Sequence, residues 1–130
     1  MIKIVLILIS TLMSNQFNNM PIELVQPNGE VINCFISGDE FYQRLHDENN
    51  YTIVQNSKDG YYYYAFKDNK IIKATSFKAL SINPDDENII PNIKISQSEY
   101  LDRRNRYFRD VEVRDAPSLG TINNLNVFIR

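Results

Sequence analysis

The chain has 130 residues, which is the length of one small domain or of a piece of a larger protein. Its 14 basic and 16 acidic residues give a net charge of -2, and this mildly acidic balance disfavours nucleic acid as a partner. Cys34 and His46 are the sole cysteine and histidine, too few for a zinc site, which as a rule takes at least three protein ligands. The common motifs of serine hydrolases and nucleotide-binding loops are absent too, so composition points away from catalysis by this chain.

The amino-terminal segment has the pattern of an export signal. Lys3 is followed by the largely apolar residues 4–13 and then by the polar residues 14–16. A basic residue before about ten apolar ones is typical of a secretory signal peptide. The run is shorter than the roughly 20 apolar residues of a membrane-spanning helix. We therefore predict a signal peptide over residues 1–20, a secreted protein and no stable membrane span; the alternative is a buried first strand of the domain.

Residues 22–36 predict a first β-hairpin. Two segments of β-forming residues, 22–26 and 30–36, flank the dipeptide Asn28-Gly29. Asn-Gly between two apolar runs favours a tight hairpin turn, because both residues tolerate positive φ.

The next segment has the signature of a short helix. Ser37 and Glu40 form the S-x-x-E pattern of a capping box. Apolar residues follow at spacings that place them on one helical face: Phe41, Tyr42 and Leu45. We therefore predict a short helix over residues 38–46, ended by a polar turn at 47–50.

An antiparallel meander is predicted after this turn. Its three strand segments are 51–55, 61–66 and 71–75. The second strand contains four consecutive tyrosines, Tyr61 to Tyr64, whose side chains alternate between the two faces of a sheet. These tyrosines either pack across neighbouring strands or form an exposed aromatic platform for sugar rings or a partner.

The last third of the chain predicts a loop, a helix, a linker and one strand. Residues 80–92 form a proline-containing acidic loop, and a second capping box, Ser96 to Glu99, begins a helix over 97–110. Residues 111–120 are typical of a linker, and 121–130 predict the first strand of a further domain that is missing here. The whole pattern predicts an α+β fold: a small antiparallel hairpin and meander over 21–110 with one short helix, a C-terminal helix and an isolated strand.

Several segments taken together resemble one protein family. The segments are 32–42, 45–53, 59–65 and 116–130. In this order and spacing they are similar to the amino-terminal pro-region of secreted zinc metalloproteases of the immune-inhibitor-A-like family. The resemblance covers nearly the whole chain after the predicted signal peptide.

This resemblance implies a protease precursor whose chemistry lies outside the present chain. The catalytic domains of the family carry H-E-x-x-H, in which two histidines bind zinc and the glutamate acts as general base. The present sequence has no such motif, so no catalytic residue can be assigned and no cofactor is expected in this chain. The implied function is to assist folding and latency of the parent zinc enzyme, with its own catalytic domain as the partner in cis.

A pro-region can keep a zinc enzyme latent by filling the open coordination position of the metal. Three residues are candidates for this role: Cys34, Asp39 and His46. The alternatives are structural: Cys34 as a small buried hydrophobe, Asp39 as an acidic residue of a first helical turn, and His46 as a residue at a helix C-terminus.

Four arginines of the C-terminal helix are candidates for the cleavage that activates a precursor. They are Arg103, Arg104, Arg106 and Arg109. The alternative is a solvated helix face with i,i+4 pairs to Glu99 and Asp102. Two other functions also remain open: a stand-alone secreted binding or adhesion module that uses the tyrosines, and a protease inhibitor that acts in trans.

Overall fold

The computed structural model describes residues 15–115, and it describes side chains as far as residue 112. The predicted strand at 121–130 and residues 1–14 of the predicted signal peptide lie outside the described residues. The chain divides into two compact units, one up to Ser96 and one from Gln97 onward. The boundary therefore falls within the predicted domain 21–110, directly before the C-terminal helix.

The first unit is built on a six-stranded antiparallel sheet. Its strands are β1 (Phe17–Val25), β2 (Val31–Gly38), β3 (Gln43–His46), β4 (Thr52–Gln55), β5 (Tyr62–Asp68) and β6 (Ile71–Lys78). Each strand pairs with the next one along the chain, so the sheet is a continuous meander from β1 to β6. With the helix that follows, this architecture confirms the predicted α+β class.

The first hairpin forms where the Asn-Gly dipeptide predicts it. Val25 pairs with Val31, and the Gln26 N–H donates to the Glu30 carbonyl at 2.7 Å across the turn. Gly29 has φ +89°, a conformation that glycine adopts without strain. The sequence pattern places residues 17–20 in the signal peptide. In the structure these residues are the first part of β1, which begins at Phe17 and pairs with β2.

The predicted short helix over 38–46 is wrong, because β3 occupies Gln43–His46. Gly38 has φ +144°, and a Cβ at this position would collide with the Tyr42 carbonyl, so the chain makes a tight turn instead of a helical one. The Asp39 carboxylate accepts from the N–H groups of Phe41 and Tyr42 and holds this turn. The predicted capping box does not form, since the Ser37 hydroxyl bonds to His46 instead.

The predicted meander is confirmed, with small differences in length. β4 and β5 begin one residue later than predicted, and β6 extends to Lys78. The turn between β5 and β6 uses Asn69 and Lys70, both at positive φ. The register shifts between Tyr63 and Ala65, which is where β6 carries extra residues opposite β5.

One face of the sheet carries the apolar core. The buried side chains of this cluster are Ile32, Cys34, Tyr51, Ile53, Tyr64 and Ala79. Ile82 and Ile89, from the segment after β6, pack against the cluster. That segment includes a short 3-10 helix, Pro84–Glu87, within the predicted loop, and the Tyr51 hydroxyl donates to its Asp85 carboxylate.

The described residues of the second unit form one helix, α1 (Gln97–Asp115). The helix begins where it is predicted and runs over 111–115, the first half of the predicted linker. Its large apolar side chains remain open to solvent: Leu101, Tyr107 and Phe108. Among the described residues, no helix is long and apolar enough to cross a membrane.

Candidate functional site

A network of buried polar side chains lies on the face of the sheet opposite the apolar core. Side chains alternate along β3, so Leu45 packs towards the core while Arg44 and His46 lie on the other face. In the sheet register His46 is the neighbour of Phe35 on β2 and of Thr52 on β4. The exposed fractions of the Arg44, His46 and Thr52 residues are only 6%, 1% and 2%.

The His46 imidazole is held through both of its nitrogens. Nδ1 lies 2.8 Å from the Asp47 carbonyl, which can only accept, so Nδ1 carries the proton in the neutral ring. Nε2 therefore accepts from the Ser37 hydroxyl, also at 2.8 Å. The pKa of His46 is lowered, first by burial; the hydrogen bond to the Asp47 carbonyl opposes this shift, and the nearby cations Arg44 and Lys94 add to it.

Ser37, His46 and the Asp47 carbonyl lie in the order of a nucleophile, a general base and an orienting acceptor. The Ser37 oxygen also accepts the Asn19 N–H at 2.8 Å, and this bond ties β1 to β2 beside the bulge. The histidine is almost inaccessible, so a substrate cannot approach the base in this conformation. The geometry therefore supports a structural role for the pair.

Asp47 organises the turn between β3 and β4. Its Oδ1 accepts from the N–H groups of Asn49 and Tyr51 at 2.9 and 3.0 Å. Its Oδ2 accepts from the buried Tyr64 hydroxyl at 2.9 Å. Burial and this acceptor both raise the pKa of Tyr64, so the phenol stays protonated and donates. Asp47 thus joins the apolar core, through its carboxylate, to the polar face, through the carbonyl that binds His46.

Arg44 and Thr52 connect the network to the segment that follows the 3-10 helix. The Arg44 guanidinium donates to the carbonyl and side-chain oxygens of Asn50 and to the Thr52 hydroxyl, at 3.1 to 3.2 Å. The Thr52 hydroxyl donates to the Ile93 carbonyl at 2.7 Å. Burial lowers the pKa of Arg44 below its ordinary value. These bonds satisfy the buried charge and fasten residues 92–94 against the sheet.

The three latency candidates all lie inside this fold. Cys34 is 2% exposed in the apolar core, where burial and the Asp47 charge raise the pKa of its thiol. Asp39 is 3% exposed and holds its own turn, and His46 is part of the polar network. The structure does not bring these three residues together into a site. Among the described residues, no group of three or more His, Cys, Asp or Glu side chains could hold a metal ion.

The four candidate processing residues lie on α1. Arg103 pairs with Glu99 at 2.7 Å and Arg106 with Asp102 at 3.1 Å, both at i,i+4 spacing. The Arg104 guanidinium lies over the Phe108 ring at 5.4 Å. These contacts agree with the solvated-face interpretation, and cleavage at these residues needs local unfolding of the helix.

The four tyrosines do not form an exposed platform. Tyr64 is 1% exposed and Tyr62 packs against the core. Tyr61 lies under the Lys78 ammonium, and Tyr63 donates to Asp59 at 2.5 Å. The packing interpretation is confirmed for Tyr62 and Tyr64, and the Tyr64 hydroxyl is buried as well.

No protein-family model, no curated protein and no solved structure matches this chain.

Sequence reasoning missed the polar network as a unit. It found Ser37 and His46 but assigned them to the two ends of one short helix. The available signal was the alternation of Arg44, Leu45 and His46, which has the period of a strand.

Proposed function

We propose that this chain is the non-catalytic pro-region of a secreted zinc metalloprotease precursor. In this proposal it assists folding of the enzyme and holds it latent, and its partner is the catalytic domain of the same precursor. The observation that carries the proposal is the ordered set of segments, 32–42, 45–53, 59–65 and 116–130, that resemble pro-regions of the immune-inhibitor-A-like family. The export-like segment at the amino terminus supports it, because such enzymes are secreted.

The structure favours one way of holding the enzyme latent. Cys34, Asp39 and His46 are each at most 3% exposed, so none can reach a zinc ion outside the domain unless its strand or turn opens. Docking of the folded domain over the catalytic cleft needs no such opening. The proposal therefore assigns latency to the folded surface of the sheet domain.

The decisive experiment is to sequence the source gene beyond the codon for Arg130. The expected result is an open reading frame that continues into H-E-x-x-H, the zinc-binding motif of such catalytic domains. A stop codon directly after Arg130 would overturn the proposal. The trans-acting inhibitor would then be the leading alternative.

If the frame continues, latency can be tested on the secreted precursor. Replacing Cys34 with Ser, a change of similar volume, is expected to leave the unprocessed precursor inactive, because latency depends on the folded surface. Deleting residues 17–115 is expected to lower the yield of folded enzyme and to abolish latency. Activity of the unprocessed Cys34→Ser precursor would instead assign the latency role to the thiolate.

Cleavage can be tested at the arginines of α1. The Arg103→Gln/Arg104→Gln precursor is expected to mature more slowly, since the pair offers a basic site next to the end of the domain. Lys73→Gln, on the β5–β6 ribbon, is the matched control for loss of a surface cation. Equal maturation of the two variants would remove this pair from the candidate processing sites.

A further inference from the structure

The β5–β6 ribbon and residues 87–94 line a cavity of about 630 Å³ in the sheet domain that is partly open to solvent. This volume lies within the range of small-molecule sites, about 300 to 1,000 Å³. Its apolar lining includes Phe66 and Phe77 from the ribbon and Ile89 and Ile90 from the facing segment. Phe66 is 42% and Ile90 is 68% exposed. An apolar ligand in this cavity would therefore remove from water a surface that the fold itself leaves uncovered.

The segment that forms the outer wall is anchored at both ends. Asn88 and Asn92 both have positive φ, near 60°, and they bound the turn that carries Ile90 into the lining. The Ile89 N–H donates to the Pro84 carbonyl at 3.1 Å, and the Asn92 N–H donates to the Asn50 carbonyl at 2.8 Å. A wall held in this way is already ordered, so a ligand loses little binding free energy to ordering it.

The cavity has one well-placed group for recognising an anion. The Lys67 ammonium donates to the Lys94 carbonyl at 2.6 Å, which uses one of its three hydrogens. In the part of the chain that the structure describes, no carboxylate lies within ion-pair distance of Lys67. Lys94 and Glu87 also line the cavity, so the charged lining residues carry a single net positive charge. This balance matches a ligand with one negative charge.

We propose that this cavity binds a small monocarboxylate with an apolar chain, of the class of medium-chain fatty acids. The carboxylate accepts from the Lys67 ammonium, and the chain lies against Phe66, Phe77 and Ile90. This site adjoins the buried polar network, which holds the Ile93 carbonyl of the cavity wall, but the side chains proposed to contact the ligand are not part of that network. The proposal does not depend on the proposed pro-region function.

The test is calorimetric titration of the full chain with decanoate, kept below its micelle concentration. One saturable site is expected. Decanol, which has the same chain without the charge, is expected to bind about tenfold more weakly, the usual effect of one charge-assisted hydrogen bond. Lys67→Met keeps most of the aliphatic stem and is expected to weaken decanoate binding by about tenfold as well. Lys73→Met, on the same ribbon but outside the lining, is expected to bind as the unmodified chain does.

A second variant keeps the proposal falsifiable if Lys67→Met disturbs the wall. Ile90 is largely exposed, so Ile90→Ala should fold normally, and it is expected to weaken decanoate binding about fivefold through lost apolar contact. The absence of saturable decanoate binding would overturn the proposal. So would decanol binding as tightly as decanoate, or an Ile90→Ala variant that binds decanoate as the unmodified chain does.

Discussion

Thr52 and Ile53 are neighbours on β4, lie on opposite faces of the sheet, and are both 2% exposed. Ile53 belongs to the apolar core, where burial of surface stabilises the fold without any directional requirement. Thr52 accepts from Arg44 and donates to the Ile93 carbonyl. The two residues are equally buried, but Ile53 is stabilised by apolar packing and Thr52 by hydrogen bonds. The core should therefore tolerate apolar substitutions of similar volume, and the polar face should tolerate few changes of chemistry.

The largest effect is expected at Asp47, which connects the two faces. Asp47→Ala removes the acceptor of the buried Tyr64 hydroxyl and of the Tyr51 N–H. Leaving such buried donors unpaired is expected to lower the free energy of unfolding by about 3 kcal/mol, as measured by urea denaturation. Glu48→Ala, at the exposed neighbour in the same turn, is the control and should change little. Equal effects of the two variants would contradict the connecting role of Asp47.

The direct comparison of the faces uses two conservative substitutions at adjacent positions. Thr52→Val keeps the volume but leaves the Ile93 carbonyl and an Arg44 N–H without their partner, and it is expected to cost about 2 kcal/mol. Ile53→Val removes one methylene group from the core and is expected to cost about 1 kcal/mol. Both free energies come from urea denaturation. If Ile53→Val proves the more damaging, packing and not hydrogen bonding dominates on both faces.

Lowering the pH should reduce the contribution of the polar face to the free energy of unfolding, and it should not change the contribution of the apolar core. Because the pKa of His46 in the folded state is lowered from its ordinary value of 6.5, the unfolded chain takes up the proton more readily. The stability that neutral His46 contributes is complete above about pH 6.5 and is lost as the pH falls from there through the folded-state pKa. One proton gives a slope of at most about 1.4 kcal/mol per pH unit.

His46 is the only histidine, so urea denaturation between about pH 7 and pH 5 isolates its effect from that of carboxyl groups, whose ordinary pKa values are about 4. NMR titration of its ring protons supplies the control. A stability that is flat over this range, or a ring that titrates at its ordinary pKa, would show that burial does not hold the imidazole neutral.

The smallest effect is expected on α1, where the polar contacts are open to water. Asp102→Asn removes the partner of Arg106, a pair whose side chains are 56% and 66% exposed. Such an i,i+4 pair stabilises a helix by about 0.3 kcal/mol, and salt screens it. Far-UV circular dichroism should show a small loss of helix content that disappears at high salt. A fall in the free energy of unfolding as large as that expected for Thr52→Val, measured by urea denaturation, would mean that this pair has a role beyond the surface of the helix.

The sequence determined those elements whose signals are local. Asn28 and Gly29 specify the first hairpin because their backbone preferences match its turn. The β-forming residues of 61–66 and 71–75 specify the later strands, and the S-x-x-E pattern at Ser96 marks the start of α1. Each signal acts within a few residues, so it survives in the absence of any tertiary context.

The tertiary structure decided what lies between Gly38 and Asp47. The capping box and the spacing of Phe41, Tyr42 and Leu45 favour a helix locally, but a strand at Gln43–His46 pairs with β2 and β4 and buries Arg44 and His46. Its hydrogen-bond partners come from residues distant in the sequence, such as Thr52 and Ser37, and so does the Ile93 carbonyl that completes the network. The conformational preferences of neighbouring residues carry no information about such distant partners. The apolar pattern therefore determined most of the sheet, whereas the polar face exists only because folding brings its donors and acceptors together in a dry site.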